Sequence, residues 1–280
     1  MFPREAPDAA GEISSDNYAW LQQHIYRASG IVLDDNKHYL LESRLLPIVR
    51  RQELRNLNDL CILLRAEASG PLTRAVRDAM TTNETLFFRD VIPFKAMEQE
   101  LIPEILAARR AFPRLRFWSA ATSSGQEAYS LAMMLLDSGL DPVSFDILAT
   151  DISGRMLEQG ASARYSQIEV SRGLPAQHLV KYFGRVGDDW QIREELRRMI
   201  RFQYFDLRDS VAPLGQFDFI FCRNVLIYFD TETKRGILNR LKDALTPEGF
   251  LLLGAAETTL NLSESFDRRI VGGACFYRKR

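Results

Sequence analysis

The stretch FWSAATSSGQEAYSLAMMLL, residues 117 to 136, predicts how the rest of the chain is arranged. It begins with an apolar pair, Phe117 and Trp118, and continues through small residues from 119 to 125. Its last part carries apolar residues at the spacing of one helix face: Ala128, Leu131, Ala132 and Leu135. We therefore predict a strand, a tight loop and a largely buried helix. Small residues let a ligand approach the backbone, and a helix N-terminus offers free N–H groups, as at the nucleotide sites of open α/β sheets.

Composition indicates a globular protein with no strong attraction to nucleic acid or to a membrane surface. The 280 residues are 46% hydrophobic and 26% charged, and the formal net charge is −1. That length suffices for one large domain or two smaller ones. The sequence shows neither a signal peptide at its start nor an apolar run long enough to span a bilayer.

Cysteine and histidine usage predicts a cytoplasmic protein without a metal site. The cysteines are widely spaced and odd in number, which is typical of reduced thiols: Cys61, Cys222 and Cys275. The histidines lie too far apart in sequence to suggest a zinc site: His24, His38 and His178. We expect no metal.

Residues 13 to 92 are predicted to form a helical domain behind a mobile tail at residues 1 to 12. The residues after the tail offer an N-cap at Ser14, and Gly30 is a stop signal for the first helix. Further helices are predicted from Lys37, with Pro47 inside it as a kink or a break, and over residues 57 to 67 and 72 to 80.

One face of this domain is basic, with four arginines close together in sequence: Arg44, Arg50, Arg51 and Arg55. Two interpretations remain open. The arginines form a solvated helix face paired with Glu42 and Glu53, or they form a surface for an acidic helical partner, because guanidinium forks suit carboxylates.

The segment TTNETLFFRD, residues 81 to 90, is polar at its start and aromatic at its end. As a bare pattern it predicts a capped helix start whose pair, Phe87 and Phe88, enters the core. A helix is then predicted over residues 93 to 110.

From residue 115 the pattern alternates between strands and helices, which predicts an α/β domain over residues 93 to 280 with a mostly parallel sheet. Apolar strands are predicted at residues 145 to 150, 199 to 205, 217 to 222 and 250 to 253, with a turn at 246 to 249. Gly272 and Gly273 predict a terminal hairpin that adds an antiparallel strand. A small antiparallel β-subdomain is predicted as an insertion at residues 181 to 205.

The predicted sheet edge has the chemistry of a site for a cofactor without phosphates. Neither the G-x-G-x-x-G fingerprint nor the P-loop pattern is present. Asp151 follows the second strand, where it could accept hydrogen bonds from a ribose diol, or could cap a helix together with Ser153. Arg223 and Asn224 follow another strand at the same edge. Together these features predict an S-adenosylmethionine-type site.

Four stretches closely resemble the chemotaxis receptor methyltransferases, the CheR family: TNETLFFRD (82–90), WSAATSSGQEAYSLAM (118–133), ATDIS (149–153) and FDFIFCRNVLIYFD (217–230). The resemblance covers the chain from about residue 13 onward. It implies a helical N-terminal domain and a Rossmann-like, seven-stranded methyltransferase domain with a small β-subdomain. It also implies methyl transfer from S-adenosylmethionine to glutamate side chains of chemoreceptors.

The resemblance further implies roles for individual residues. Arg89 lies at the methyl-transfer site, and Tyr228 faces the reacting carboxylate. Contacts with the cofactor are implied for a set spread over five segments: Asn83, Thr85, Arg89, Glu127, Asp151, Asp206, Leu207, Arg223 and Asn224. The basic surface of Arg44, Arg50, Arg51 and Arg55 would then dock on acidic receptor helices.

The chain departs from the family pattern at three places. Gln126 and Ala128 replace an acid and a proline in the first loop, although Glu127 is kept. Ala256 stands where the family favours serine, and Asp206 where it often has asparagine. These changes affect local hydrogen bonding and the expected adenine contact at Asp206.

The leading interpretation is an active, monomeric protein-glutamate O-methyltransferase, with Arg89 and Tyr228 orienting the nucleophile. The alternative is a cofactor-binding regulatory or scaffolding module on receptors. A small-molecule or RNA methyltransferase fits the fold but not the N-terminal domain or the net charge. A regulatory protein partner is compatible with the resemblance. The turn at residues 186 to 189 is short for gripping a receptor's C-terminal peptide, so a form without such a tether is favoured.

Overall fold

The computed structural model describes residues 13–34, 37–67, 69–108 and 114–280. The predicted tail at residues 1 to 12 lies outside the described residues. Contacts divide the chain into two compact units, Met1–Thr82 with Tyr228–Asp230 and Asn83–Ile227 with Thr231–Arg280. We had predicted the boundary after residue 92. It lies earlier because Phe87 and Phe88 pack in the core of the second unit.

The described residues of the first unit form four helices: α1 (Ser15–Ser29), α2 (His38–Arg51), α3 (Leu57–Ala66) and α4 (Pro71–Met80). The predicted caps of α1 are confirmed, since the Ser14 side chain accepts from the backbone N–H of Asn17 and Gly30 closes the helix at φ 75°. Helix α2 continues through Pro47, which therefore does not break it. Buried residues on both sides of the proline, Leu45 and Ile48, hold the helix in the core.

The second unit is built on the strands β1 (Leu115–Ala120), β2 (Phe145–Asp151), β3 (Arg164–Tyr165), β4 (Phe183–Val186), β5 (Asp189–Ile192), β6 (Ile200–Tyr204), β7 (Phe217–Cys222), β8 (Leu245–Leu253), β9 (Phe266–Val271) and β10 (Ala274–Lys279). Seven of them form one sheet in the order β6-β2-β1-β7-β8-β10-β9. The first five strands of that order run parallel, and β10 is antiparallel to β8 and β9. The predicted terminal hairpin is thus confirmed.

The helices of this unit cover the sheet: α5 (Val91–Ala96), α6 (Ile102–Ala108), α7 (Gln126–Asp137), α8 (Gly154–Ser162), α9 (Gln167–Ser171), α10 (Ala176–Tyr182), α11 (Glu194–Arg197) and α12 (Thr231–Ala244). A π-helical turn, Met97–Leu101, joins α5 to α6. Helix α7 is buried on nearly every side, as its sequence predicted.

The small antiparallel sheet has the order β3-β5-β4 and differs from the predicted insertion at residues 181 to 205. It begins earlier, because β3 at Arg164–Tyr165 pairs with β5. It also ends earlier, because β6 pairs with β2 in the main sheet. The two-residue strand β3 is too short to show an alternating pattern.

Residues 246 to 249, predicted as a turn, lie within the bounds of β8 but form an irregularity in it, because Leu245 pairs with Phe217 and Phe250 already pairs with Phe219. The ladder between β7 and β8 shifts register between Phe217 and Phe219. A side chain on Gly249 would lie 2.9 Å from the carbonyl oxygen of Phe217, so glycine allows the strands to approach there. Among the described residues, no helix is both long and apolar enough to cross a membrane.

Candidate functional site

The loop after β1 is held in a backbone conformation that non-glycine residues rarely adopt. Ala121 and Ser123 have φ values of 59° and 53°. Gly125, at φ 90°, precedes α7, and a Cβ there would lie 2.9 Å from the ring of Phe202. The predicted strand, tight loop and helix are confirmed. Strained backbone of this kind is concentrated at functional sites.

Asp151, at the end of β2, fixes this loop to the next one. Its Oδ2 accepts from the backbone N–H of Ser123 and its Oδ1 from that of Ser153, each at 2.8 Å. Ser153 itself caps α8, with the backbone N–H of Met156 donating to its Oγ. The capping role thus belongs to Ser153, and Asp151 presents a buried carboxylate at the carboxyl edge of the sheet.

Residues 83 to 90 do not form the capped helix start that the bare pattern predicted. The segment is instead a non-helical strap that is bonded to the loop after β1 and to α7. Ser123 Oγ donates to the carbonyl oxygen of Asn83 at 2.7 Å, and the backbone N–H of Phe88 donates to Ser130 Oγ at 2.8 Å. Both ends of the strap are therefore bonded to the strand–loop–helix around β1 and α7.

The two phenylalanines of the strap enter the core, as predicted, and anchor it. Phe87 is fully buried and packs edge-on against Tyr165 and Phe183 of the small sheet, with ring centroids 5.0 and 5.7 Å apart. Phe88 stacks on His178 at 4.9 Å. Arg89 and Asp90, which follow directly, are placed by this anchor.

Arg223, immediately after β7, connects the strap to the first loop. Its Nη1 lies 3.1 Å from Glu127 Oε2, and its Nη2 lies 2.5 Å from Asp90 Oδ2 and 3.0 Å from the carbonyl oxygen of Arg89. Ser119 Oγ donates to the other oxygen of Glu127 at 2.7 Å. A buried cation with two carboxylates thus joins β1, α7, β7 and the strap.

Asn224 follows in a left-handed conformation with φ 59°. The backbone N–H groups of Asn224 and Gly254 both donate to Glu257 Oε2 at 2.7 Å. Burial raises the pKa of the neighbouring Cys222 thiol well above its usual range, and the carboxylates of Glu257 and Glu127 add to that effect. The thiol therefore stays protonated at neutral pH.

Asp206 and Leu207 follow β6 at the same edge and are both buried. Arg208 compensates the charge of Asp206, with its Nη2 at 2.6 Å from Oδ2 and its Nε at 3.0 Å from Oδ1. Both carboxylate oxygens of Asp206 therefore already accept hydrogen bonds from Arg208. Any contact that Asp206 makes in place of the family's asparagine must use these same oxygens.

The two residues implied in methyl transfer have different surroundings. Arg89 is half-buried, and its Nη1 makes one long contact of 3.5 Å to the carbonyl oxygen of Glu84. Glu84 pairs with Arg172 at 2.7 Å, and the hydrogen bond lowers the pKa of the Glu84 carboxyl. Thr85 is half-buried in the strap. Tyr228 ends a 3₁₀ turn and groups with the first unit, where its carbonyl oxygen accepts from Val32 at 3.0 Å.

The four arginines of the basic surface are not equivalent. Arg44 donates to the carbonyl oxygens of Met80 and Thr81 and to Thr82 Oγ1, at 2.5, 3.2 and 2.8 Å. Arg55 is exposed and pairs with Asp59. Arg50 and Arg51 are exposed and form no ion pair with a described residue. The solvated-face interpretation had paired these arginines with Glu42 and Glu53, and no such pair occurs in the described part of the chain.

A cavity of about 490 Å³ lies beside Arg223, between the start of α5 and the ends of β8 and β10. Asp90, Arg223, Glu257 and Cys275 are among its lining residues. This places open space next to the buried Arg223.

Three residues of the site were not singled out from the sequence: Ser123, Asp90 and Glu257. Ser123 and Asp90 are held in left-handed backbone conformations, which have no signal in a serine or an aspartate, and their partners are far away in sequence. Glu257 directly follows Ala256, the position at which the family favours serine. A glutamate three residues after a glycine that ends a buried strand is the signal that could have indicated it.

The edge fits S-adenosylmethionine in its donor and acceptor groups. Among the described residues, two buried polar atoms here have no hydrogen-bond partner, Arg223 Nε and Asn224 Oδ1. Asp151 and Glu127 supply the acids, and the small-residue loop allows close approach. A parallel sheet with one antiparallel strand, this edge and no phosphate-binding fingerprint together define the class I S-adenosylmethionine-dependent methyltransferases.

Comparison with known families agrees with this class. Residues 83–270 match the CheR methyltransferase SAM binding domain, and residues 16–81 match the CheR methyltransferase all-alpha domain. The chain belongs to the CheR methyltransferase family, and it is an S-adenosylmethionine-dependent methyltransferase.

Curated relatives are similar over most of their length. The chain is 42% identical over 261 residues to a chemotaxis protein methyltransferase of Vibrio parahaemolyticus, covering 91% of this chain and 94% of the relative. It is 41% identical to chemotaxis protein methyltransferase 1 of Pseudomonas aeruginosa, covering 91% and 94%. It is 34% identical to the chemotaxis protein methyltransferase of Salmonella typhimurium, covering 92% and 88%.

Solved structures match more distantly. Magnesium protoporphyrin IX methyltransferase from Synechocystis with bound SAM is 18% identical, with a TM-score of 0.34 and coverage of 78% of this chain and 94% of that one. TrmN from Thermus thermophilus is also 18% identical, with a TM-score of 0.38 and coverage of 66% and 52%. The sheet order described above, and not these matches, defines the fold.

Proposed function

We propose that this protein transfers the methyl group of S-adenosylmethionine to glutamate side chains of chemoreceptors and forms glutamyl methyl esters in the cytoplasm. The names of its relatives place their activity in chemotaxis, which supports a receptor substrate. The observation that carries the proposal is the strap. It holds Arg89 beside the Arg223–Glu127–Asp90 cluster, at the edge where the cofactor fits.

The nucleophile needs little acid–base chemistry. A glutamate carboxylate is already ionised at neutral pH, so no general base is required to activate it. S-adenosylmethionine supplies, when bound, an activated methyl group on a sulfonium. The work of the chain is to bring the carboxylate in line and to exclude water, which can contribute about 7–11 kcal/mol when the geometry is good.

Arg89 and Tyr228 orient the carboxylate in this proposal. Arg89 suits the role because its guanidinium forms no ion pair within 4.0 Å with a described residue and makes one long contact, to the carbonyl oxygen of Glu84. A tight ion pair would stabilise the nucleophile and lower its reactivity, so we assign Arg89 to positioning the carboxylate by hydrogen bonds. Cofactor contacts are assigned to Asn83, Thr85, Glu127, Asp151, Asp206, Leu207, Arg223 and Asn224.

The helical unit is proposed to dock on the acidic receptor helices. Arg50 and Arg51 are the better candidates, because both are exposed without an ion pair among the described residues. Arg44 already bonds to the end of α4, and Arg55 to Asp59. We therefore assign docking to Arg50 and Arg51, with Arg55 at their side.

Methyl transfer from radiolabelled S-adenosylmethionine to a chemoreceptor cytoplasmic fragment tests the proposal. Mild alkali should release the transferred label as methanol, which identifies a glutamyl methyl ester. Alkali-stable label would contradict glutamate as the acceptor. Tight binding of S-adenosylhomocysteine without transfer to any of a panel of receptor fragments would favour the regulatory or scaffolding alternative.

A further inference from the structure

Glu257 ties together the ends of two neighbouring strands at the cofactor edge. Its Oε2 accepts from the backbone N–H groups of Asn224, after β7, and Gly254, after β8, at 2.7 Å each. Its Oε1 accepts from the N–H of Ile227 at 3.3 Å. One carboxylate thus receives three main-chain donors, which are charge-assisted bonds and roughly twice as strong as neutral ones.

The packing around this carboxylate is tight. A Cβ on Gly254 would lie 2.7 Å from Glu257 Oε2 and 2.8 Å from both the backbone N and the side-chain Nδ2 of Asn224. The glutamate closes its own turn as well, since its backbone N–H donates to the carbonyl oxygen of Gly254 at 2.9 Å. The carboxylate therefore has one position, and the turn after β7 is built around it.

Asn224 needs such support. Its φ of 59° is a left-handed conformation, which non-glycine residues adopt rarely and which persists where the surroundings impose it. Its Oδ1 is buried and has no hydrogen-bond partner among the described residues. An unpaired buried acceptor is costly, so a ligand donor that reached it would be favoured.

We propose that Glu257 is a positioning residue for the cofactor site, which acts by holding Asn224 in the left-handed conformation. This inference rests on the proposed placement of S-adenosylmethionine at Asn224. Glu257 takes no part in the chemistry, because its oxygens accept from the backbone. Loss of the carboxylate should release Asn224 and weaken the cofactor complex while the rest of the sheet stays folded.

Binding of S-adenosylhomocysteine by calorimetry, together with steady-state kinetics, tests the proposal on Glu257→Ala and Glu257→Gln. The matched control is Asp218→Asn, because Asp218 is a buried acid on β7 that also accepts from the backbone, taking the N–H of Arg116 at 2.8 Å. Asp218 lies near the start of the same strand, whereas Glu257 acts at its end.

Glu257→Ala should weaken affinity about tenfold or more, the range for hydrogen bonds to a charged group, and should raise KM for S-adenosylmethionine more than it lowers kcat. The affinity of Glu257→Gln should lie between those of the wild type and Glu257→Ala, because the glutamine's amide oxygen can still accept from the N–H groups of Asn224 and Gly254. Asp218→Asn should lower Tm and leave affinity unchanged.

Affinity equal to wild type in a folded Glu257→Ala variant would overturn the proposal. Should that variant not fold, Glu257→Gln decides: affinity no weaker than that of Asp218→Asn would overturn it. Absence of binding by the wild-type protein would instead overturn the cofactor placement in the proposed function, and the two failures are therefore distinguishable.

Discussion

Arg223 and Glu127 form an ion pair of 3.1 Å between the end of β7 and the start of α7, with side chains only 3% and 12% exposed. The pair joins the end of β7 to the start of α7 at the edge proposed for the cofactor. Buried charges of this kind are costly to separate, because the partner left behind keeps its charge in a site poor in water. The cluster therefore has a structural role, beside the cofactor contact that we propose for it.

Glu127→Ala should lower the free energy of unfolding by about 3 kcal/mol, the lower end for a broken buried pair, because Asp90 still accompanies Arg223. Chemical denaturation measures this free energy. The control is Asp267→Ala, which breaks the exposed ion pair with Arg280 and should lower the free energy of unfolding by only about 0–1 kcal/mol. Equal losses in the two variants would show that Glu127 is not held in a buried pair.

Arg89→Ala should lower turnover by orders of magnitude while the affinity for S-adenosylhomocysteine changes much less. The physical reason is that we propose Arg89 to orient the nucleophile, and propose the loop after β1 and the ends of β2 and β7 to hold the cofactor. Single-turnover methyl transfer and calorimetry measure the two quantities. Arg89→Lys keeps the charge without the fork and should recover little activity. Near-normal turnover in Arg89→Ala would contradict the assignment.

Much of the fold could be predicted from the sequence because its signals are local. The buried helix α7, the strand β7 and the hairpin of β9 and β10 all follow from apolar runs bounded by small or glycine residues. Asp151 and the pair Arg223 and Asn224 could be placed at one edge because the carboxyl ends of parallel strands lie together.

The strap and the small sheet could not be predicted in this way. Residues 83 to 90 carry the pattern of a helix start. However, the backbone N–H of Phe88 donates to Ser130, and the ring of Phe87 packs against Tyr165 and Phe183. All these partners are far away in sequence. The strand β3 is only two residues long and exists through pairing with β5. Tertiary contacts decide both, and a local pattern does not record them.

Gly173→Ala should destabilise the strap. Gly173 has φ 87°, and a Cβ there would lie within 2.1 Å of the carbonyl oxygen of Phe87. Gly139, at φ 81°, has no atom within 4 Å and serves as the control. Gly139→Ala should cost about 1–2 kcal/mol from backbone strain alone, and Gly173→Ala about 1–3 kcal/mol more from overpacking. Gly173→Ala should also reduce methyl transfer, because Arg89 follows Phe87 closely in the strap. Equal losses of stability in Gly173→Ala and Gly139→Ala would contradict the close approach of Gly173 to Phe87.

Arg44 and the exposed pair Arg50 and Arg51 should respond differently to salt. Neutralising Arg50 and Arg51 should raise KM for the receptor most strongly at low ionic strength, where the Debye length is about 30 Å at 0.01 M. Arg44→Ala should lower activity at every salt concentration and keep the wild-type salt dependence, because Arg44 bonds to Met80, Thr81 and Thr82. A flattened salt dependence in Arg44→Ala would assign Arg44 to docking instead.

The three cysteines should differ sharply in alkylation at pH 8. Burial raises the pKa of the Cys61 thiol to about 11 and that of Cys222 well above its usual range, so neither forms much thiolate. Cys275 is only partly buried, and its Sγ lies 3.2 Å from Arg268 Nε in the cavity beside Arg223. Peptide mass spectrometry after a brief iodoacetamide pulse should find Cys275 modified alone, and all three modified in denaturant. The Cys61 thiol is fully buried and cannot meet the reagent while the helical unit is closed. Modification of Cys61 as fast as Cys275 would therefore mean that this unit opens on the timescale of the pulse.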